Sequence, residues 1–224
     1  MNKIRSNLIK SRLPAEGLFL ARWLTAPHKI GALTPASRYL ARAMADQIAP
    51  HGGLVVELGA GTGSVTKALL EAGLPPEHLI IVESDPAFCL LLRRRFPGLK
   101  VIRGDAARLG ALLAPLSVER VASVVSSLPL LSMPRPLRQR IIEESFALLA
   151  EHGAFIQYTY GAFSPLRRRK SGLKGEVAER VWRNFPPAAV WRFRRRCETA
   201  HATWLPASPA PQLAPERMID NPVG

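Results

Sequence analysis

Two cysteines occur in 224 residues, Cys89 and Cys197, too few and too far apart for a disulfide framework or a cysteine-based metal site. A reducing cytoplasm is therefore the expected compartment, and no metal is expected. Long apolar runs are also missing. No stretch approaches the roughly 18 residues of a membrane span. Near the N-terminus the longest apolar run is Leu18-Phe19-Leu20, interrupted by Arg22 and too short for the core of a signal peptide. Acidic residues are scarce as well, with 17 Asp and Glu against 31 Lys and Arg, for a net charge of +14. Such an excess calls for a polyanionic partner, either nucleic acid or an anionic membrane surface. The chain is expected to stay in water or to lie on a membrane without crossing it.

What is present is an alternation of strands and helices. Strands are expected at 54–58, 78–84, 100–106, 120–127 and 154–160. Helices are expected at 64–72, at 135–151, and from Asp85-Pro86, a cap followed by proline, to Arg93-Arg94-Arg95. A helix near 174–184 and a strand near 189–195 complete the series. This order argues for an α/β fold, a mostly parallel sheet with helices on both faces. Residues 1–50 read as a helical N-terminal segment, 51–205 as the main domain and 206–224 as a proline-rich flexible tail.

Glu57-x-Gly59-x-Gly61-x-Gly63 joins the first strand to its helix, where glycines allow close approach of backbone and ligand. A dinucleotide fingerprint would place a glycine at 64, which is Ser, and a P-loop would need Gly-Lys-Ser/Thr. Glu83 ends the second strand, where its carboxylate can accept from both hydroxyls of a ribose. Asp105 ends the third, followed by Ala106, where it can accept from an adenine amino group. This set resembles the S-adenosylmethionine site of class I (Rossmann-like) methyltransferases, which implies cofactor contacts from Glu57, Gly59, Gly61, Gly63, Glu83, Asp105, Ala106 and Ser126, with S-adenosylhomocysteine as product. The other reading of Glu83 and Asp105 is as helix caps.

The loop after the fourth strand is "SSLPLLSMP" (126–134). Methyltransferases acting on nucleobase amines resemble one another here in carrying Asn/Asp-Pro-Pro-Tyr or Asn-Leu-Pro-Tyr. This chain has Ser127-Leu128-Pro129-Leu130, without the amide or the aromatic platform, which is worth about 1–3 kcal/mol to a base. The chain resembles the bacterial phospholipid N-methyltransferases up to about residue 196. The resemblance is carried by "FLARWLTAPHKIGALTPAS" (19–37), "VVELGAGTGSVTKALL" (55–70), "SSLPLLSMP", "QYTYG" (157–161) and "NFPPAAVWRFRR" (184–195). It implies methylation of a lipid amine, with phosphatidylethanolamine converted stepwise towards phosphatidylcholine, and an enzyme peripheral to the inner face of the cytoplasmic membrane. An ornithine-lipid N-methyltransferase and a ribosomal RNA adenine dimethyltransferase are the alternatives, the latter without support from the 127–130 loop.

On this reading Leu128 and Leu130 face an oily substrate, the alternative being that they fill core beneath the 135–151 helix. Tyr158 and Tyr160, two apart on a strand and so on one face, are expected to hold the amine with Ser127, or else to pack against a helix. Basic residues interleave with Leu, Phe and Trp23 in the N-terminal segment, a pattern suited to the bilayer interface or to packing on the sheet. Arg167, Arg168 and Arg169 form the densest basic cluster, expected to meet substrate phosphate or anionic head groups, or to be a solvated loop. The expected partners are an anionic membrane surface and its phospholipid, with no nucleic acid.

Overall fold

Val55–Leu58, with all four residues buried, form an inner strand, β1, paired with neighbours on both sides. In this computed structural model, residues 36–48, 52–160, 164, 166 and 172–196 are described. Trp23, the cluster Arg167–Arg169 and the 206–224 tail, with the readings placed on them, lie outside the described residues.

Seven strands form one sheet: β1, β2 (Leu79–Glu83), β3 (Lys100–Arg103), β4 (Val121–Ser126), β5 (Leu149–Tyr160), β6 (Leu173–Val181) and β7 (Ala188–Arg195). Their order is β3-β2-β1-β4-β5-β7-β6. The first five strands are parallel, and β7 runs antiparallel to both β5 and β6. The expected mostly parallel sheet is present, with helices on both faces.

Strand alternation divides the core into two layers. Val55, Ile81, Val125, Ile156 and Val190 pack with α1 (Arg38–Ala45), α2 (Ser64–Glu71) and α3 (Pro86–Arg95). Val56, Leu58, Ile80, Val124, Phe155 and Trp191 pack with α4 (Leu109–Leu113) and α5 (Arg135–Leu148). Two helices start at a capping side chain. Ser37 Oγ accepts from Leu40 N–H at 3.2 Å to cap α1. Asp85 Oδ1 accepts from Ala87 N–H at 2.7 Å and Phe88 N–H at 3.2 Å, ahead of Pro86.

Two expectations are corrected. The segment 174–184 is not a helix, because Leu173–Val181 form β6 at the sheet edge. Leu173, Val177 and Val181 are spaced by four, which fits one helix face but also one strand face. A shift in register between Val177 and Glu179 then sends Val181 to the opposite layer from Leu173. Pairing with β7 decides the outcome, and Gly175 leaves room for the Phe193 ring. The helix expected over 135–151 ends at Leu148, and β5 starts at Leu149 rather than 154. Its register against β4 slips between Val121↔Leu149 and Ser123↔Ala154, so the extra residues are taken up in a bulge.

Candidate active site

The glycine loop leaves β1 with its backbone tied to both neighbours. Gly59 N–H donates to Val82 O at 2.9 Å, and Ser127 N–H donates to Leu58 O at 2.9 Å. The three glycines are needed for different reasons. A Cβ on Gly59 would lie 2.5 Å from Leu128 Cδ2, and one on Gly63 would lie 2.5 Å from Phe96 Cε2. A Cβ on Gly61 would meet nothing within 4 Å, yet its φ of +54° belongs to the left-handed region. The loop is thus packed shut at its ends and open at its middle. Arg95, at the end of α3, donates to Thr62 O at 2.7 Å and holds the open part from outside.

The acidic residues gather around this opening. Glu83 is buried; its Oε2 accepts from Gly61 N–H at 2.9 Å, while Oε1 accepts from Ser84 N–H at 2.8 Å and Asp85 N–H at 3.0 Å. The carboxylate therefore couples the glycine loop to the end of β2. Asp105, two residues past β3, uses Oδ1 to accept from Ala107 N–H at 2.9 Å, capping a short turn in which Ala106 is buried. Glu57 is wholly buried. Its Oε2 accepts from Thr66 Oγ–H at 2.7 Å, and burial pushes its pKa up to about 7.

Beyond β4 the oily loop resolves into two kinds of side chain. Leu130 is 1% exposed and packs in the α4/α5 layer with Met133, so it cannot face a substrate as expected. A short turn at Leu130–Ser132 points that leucine inwards and leaves Leu131 43% exposed. Leu128 is half-buried, rests over Gly59 and packs against the same layer. Ser126 is buried, its Oγ accepting from Leu128 N–H at 3.3 Å. Tyr158 and Tyr160 share one face with ring centroids 5.5 Å apart in edge contact. Burial pushes both phenols up, and Tyr160 is pulled partly back by hydrogen bonds from Asn184 and Tyr158.

Gln157 and Asn184 belong to this assembly, although the sequence motifs that contain them assign neither a role. Gln157 Nε2 donates to Leu128 O at 2.9 Å and to Tyr158 O at 2.8 Å, bracing the loop from β5. Asn184 is buried and donates from Nδ2 to Pro186 O at 2.7 Å. A lone amide in an otherwise apolar strand, Phe155-Ile156-Gln157, was the available signal for the first.

Among the described residues, four buried side-chain polar atoms have no protein partner. His78 Nδ1 sits at the far end of β2. The other three, Glu57 Oε1, Ser127 Oγ and Gln157 Oε1, lie at the carboxyl ends of the adjoining strands β1, β4 and β5. Buried polar atoms are normally paired, and leaving one unpaired costs about 1–3 kcal/mol. Three together beside an open glycine loop fit a polar ligand with hydrogen-bonding groups of its own. No cluster of three or more metal-ligating side chains occurs among the described residues.

The "Methyltransferase domain" family matches residues 55–153, which take in the glycine loop, both later acids and the β4 loop. Over 181 residues the chain is 36% identical to an ornithine lipid N-methyltransferase of Singulisphaera acidiphila, covering 79% of this chain and 94% of that protein. The chain belongs to the class I S-adenosylmethionine-dependent methyltransferases. This methyltransferase is also 34% identical over 173 residues to a ribosomal RNA small subunit methyltransferase of Arabidopsis thaliana, but spans only 45% of that protein. Among solved structures, a TehB-like methyltransferase from Corynebacterium glutamicum superposes with a TM-score of 0.51 at 15% identity, covering 81% of this chain and 98% of that one. A T. thermophilus 16S rRNA methyltransferase in complex with AdoMet and guanosine gives 0.52 at 23% identity, covering 75% of this chain and 45% of that one. These two establish the shared fold. The cofactor of the enzyme is S-adenosylmethionine.

Proposed function

We propose that this enzyme methylates the amine of a membrane lipid head group, an ornithine lipid before phosphatidylethanolamine. The observation that carries the reading is the similarity to an ornithine lipid N-methyltransferase over 94% of that protein's length. It favours ornithine lipid over the phosphatidylethanolamine implied by the sequence resemblance. The β4 loop supports a lipid in general, since Ser127 and Leu130 stand where nucleobase enzymes carry an amide and an aromatic.

S-adenosylmethionine supplies a methyl group on a sulfonium, transferred by in-line displacement to leave S-adenosylhomocysteine. In this proposal Glu83 accepts from the ribose hydroxyls and Asp105 from the adenine amine, while Gly59, Gly61 and Gly63 shape the cradle. Ala106 lines the base, and Ser126 and Glu57 close the inner end. Placing the acceptor nitrogen in line is the enzyme's main contribution. Leu128 supplies an apolar wall that disfavours the ammonium form of the acceptor. Tyr158 and Tyr160 stay protonated, so they orient the amine with Ser127 and serve partly methylated products through their ring faces. The basic cluster Arg167–Arg169 and the segment around Trp23 are proposed to meet an anionic membrane, at the inner face of the cytoplasmic membrane. No described helix is long and apolar enough to cross one.

The test is incubation with methyl-labelled S-adenosylmethionine and three acceptors: vesicles containing ornithine lipid, vesicles containing phosphatidylethanolamine, and ribosomal RNA. Label chiefly in ornithine lipid is the expected result. Label in phosphatidylethanolamine alone would restore the first resemblance, and label in RNA alone would overturn the lipid reading.

A further inference from the structure

Exposed aromatic surface is concentrated in one turn. Trp182 is 73% exposed and Phe185 92% exposed, more than any other large apolar side chain described. Both lie between β6 and β7, in Trp182-Arg183-Asn184-Phe185-Pro186-Pro187. Register fixes which end of the sheet this is. Ala188 pairs with Tyr160 on one side and with Val181 on the other, so the turn stands at the carboxyl end of β5, on the rim that carries the active site. Leu131, the exposed leucine of the β4 loop, belongs to the same end.

The turn is built firmly. Asn184, which is buried and lies between the two aromatics in sequence, donates to Pro186 O at 2.7 Å, and its backbone N–H donates to Val181 O at 3.4 Å. Asn184 also hydrogen-bonds Tyr160, joining the turn to the tyrosine pair. Two consecutive prolines follow and restrict the backbone further. Trp182 and Phe185 are therefore presented to solvent by a braced scaffold. Cationic residues border them. Arg180 and Arg183 are exposed, against Glu179, and the Arg183 guanidinium lies 5.3 Å from the centre of the Tyr39 ring. Arg38, also exposed, covers the same ring at 4.8 Å, so two arginines from separate elements meet on Tyr39.

We propose that this turn docks the enzyme on an anionic lipid bilayer, with Trp182 and Phe185 entering the interface and Arg38, Arg180 and Arg183 resting on the head groups. The inference deepens the lipid-acceptor reading and rests on it. Aromatic side chains favour the membrane–water interface, and arginines beside them add attraction to anionic lipid. Docking here would turn the strand rim, with the tyrosine pair behind Asn184, towards the membrane.

The test uses the full chain and vesicles of phosphatidylcholine with or without phosphatidylglycerol, neither of which offers an amine to methylate. Trp182→Ser with Phe185→Ser should weaken vesicle sedimentation by roughly tenfold or more, while cofactor affinity measured by calorimetry stays unchanged. Arg180→Gln with Arg183→Gln should remove most of the preference for phosphatidylglycerol. The blue shift of tryptophan emission on vesicle addition should shrink in Trp182→Phe. Wild-type sedimentation by the aromatic variant would overturn the proposal. So would loss of self-association or of RNA binding in that variant with vesicle binding intact, which would assign the turn to a second copy or to nucleic acid. Turn-dependent vesicle binding without label in any lipid would keep this inference and remove the lipid acceptor; label in lipid with turn-independent binding would do the reverse.

Discussion

Leu128 lies against Gly59 so closely that a Cβ on the glycine would come within 2.5 Å of Leu128 Cδ2. The loop after β4 thus rests on the first turn of the glycine loop, and the φ of +69° at Gly59 adds a second demand for glycine. Gly59→Ala should cost about 1–2 kcal/mol through the backbone and a further contribution from displacing Leu128. Leu128→Ala in the same chain should recover only the second part. Urea unfolding of both single variants and the double variant tests this, with sub-additive costs expected. Strict additivity would mean that the two residues do not share the space.

Glu83 accepts backbone N–H groups from Gly61, Ser84 and Asp85, so its removal has a structural cost as well as a functional one. Glu83→Ala would orphan all three donors. Glu83→Gln retains an oxygen for Ser84 and Asp85 and sets an amide donor against the Gly61 N–H. The Gln variant should fold and bind S-adenosylmethionine about 10- to 100-fold more weakly, the usual worth of a hydrogen bond to a charged group. Calorimetric affinity equal to the wild type would remove Glu83 from the cofactor site.

The parts legible in the sequence were those with short-range rules. The cradle at 57–63, the capped start at Asp85-Pro86 and the acids after β2 and β3 all depend on a few neighbouring residues. The rest depends on contacts distant in the chain. Leu173, Val177 and Val181 fit two periods equally, and only the edge of β7 makes them a strand. Leu130 and Leu131 are adjacent leucines in one loop, and a single turn buries one and exposes the other. Gln157 and Asn184 matter because of what surrounds them after folding, Leu128 O for one and Tyr160 for the other. The exposure of Trp182 and Phe185 follows from the turn that carries them.

Tyr160 joins Tyr158 and Asn184, and burial keeps both phenols protonated through the neutral range. Tyr160→Phe should lower kcat by about 3- to 10-fold, the worth of one neutral hydrogen bond, with cofactor affinity unchanged. Since neither phenol ionises there, Tyr158→Phe should lower the plateau of the pH–rate profile without moving its midpoint, which belongs to the acceptor amine. A displaced midpoint would assign proton abstraction to the phenol.

Glu57 links the site to stability. Burial raises its pKa from 4.5 to about 7, so the folded chain holds this proton more tightly than the unfolded chain. Its contribution is fully present below pH 4.5, declines as pH rises through about 7, and is constant above that. The decline amounts to about 3 kcal/mol for a shift of this size. Glu57→Gln keeps an oxygen for the Thr66 hydroxyl, which donates at 2.7 Å in the wild type, and carries no charge to desolvate. The difference in unfolding free energy between the two cofactor-free proteins, measured in urea at pH 5 and pH 8, should therefore shift in favour of the Gln variant at the higher pH. A difference independent of pH would mean that water reaches the carboxylate and that Glu57 titrates like an exposed acid.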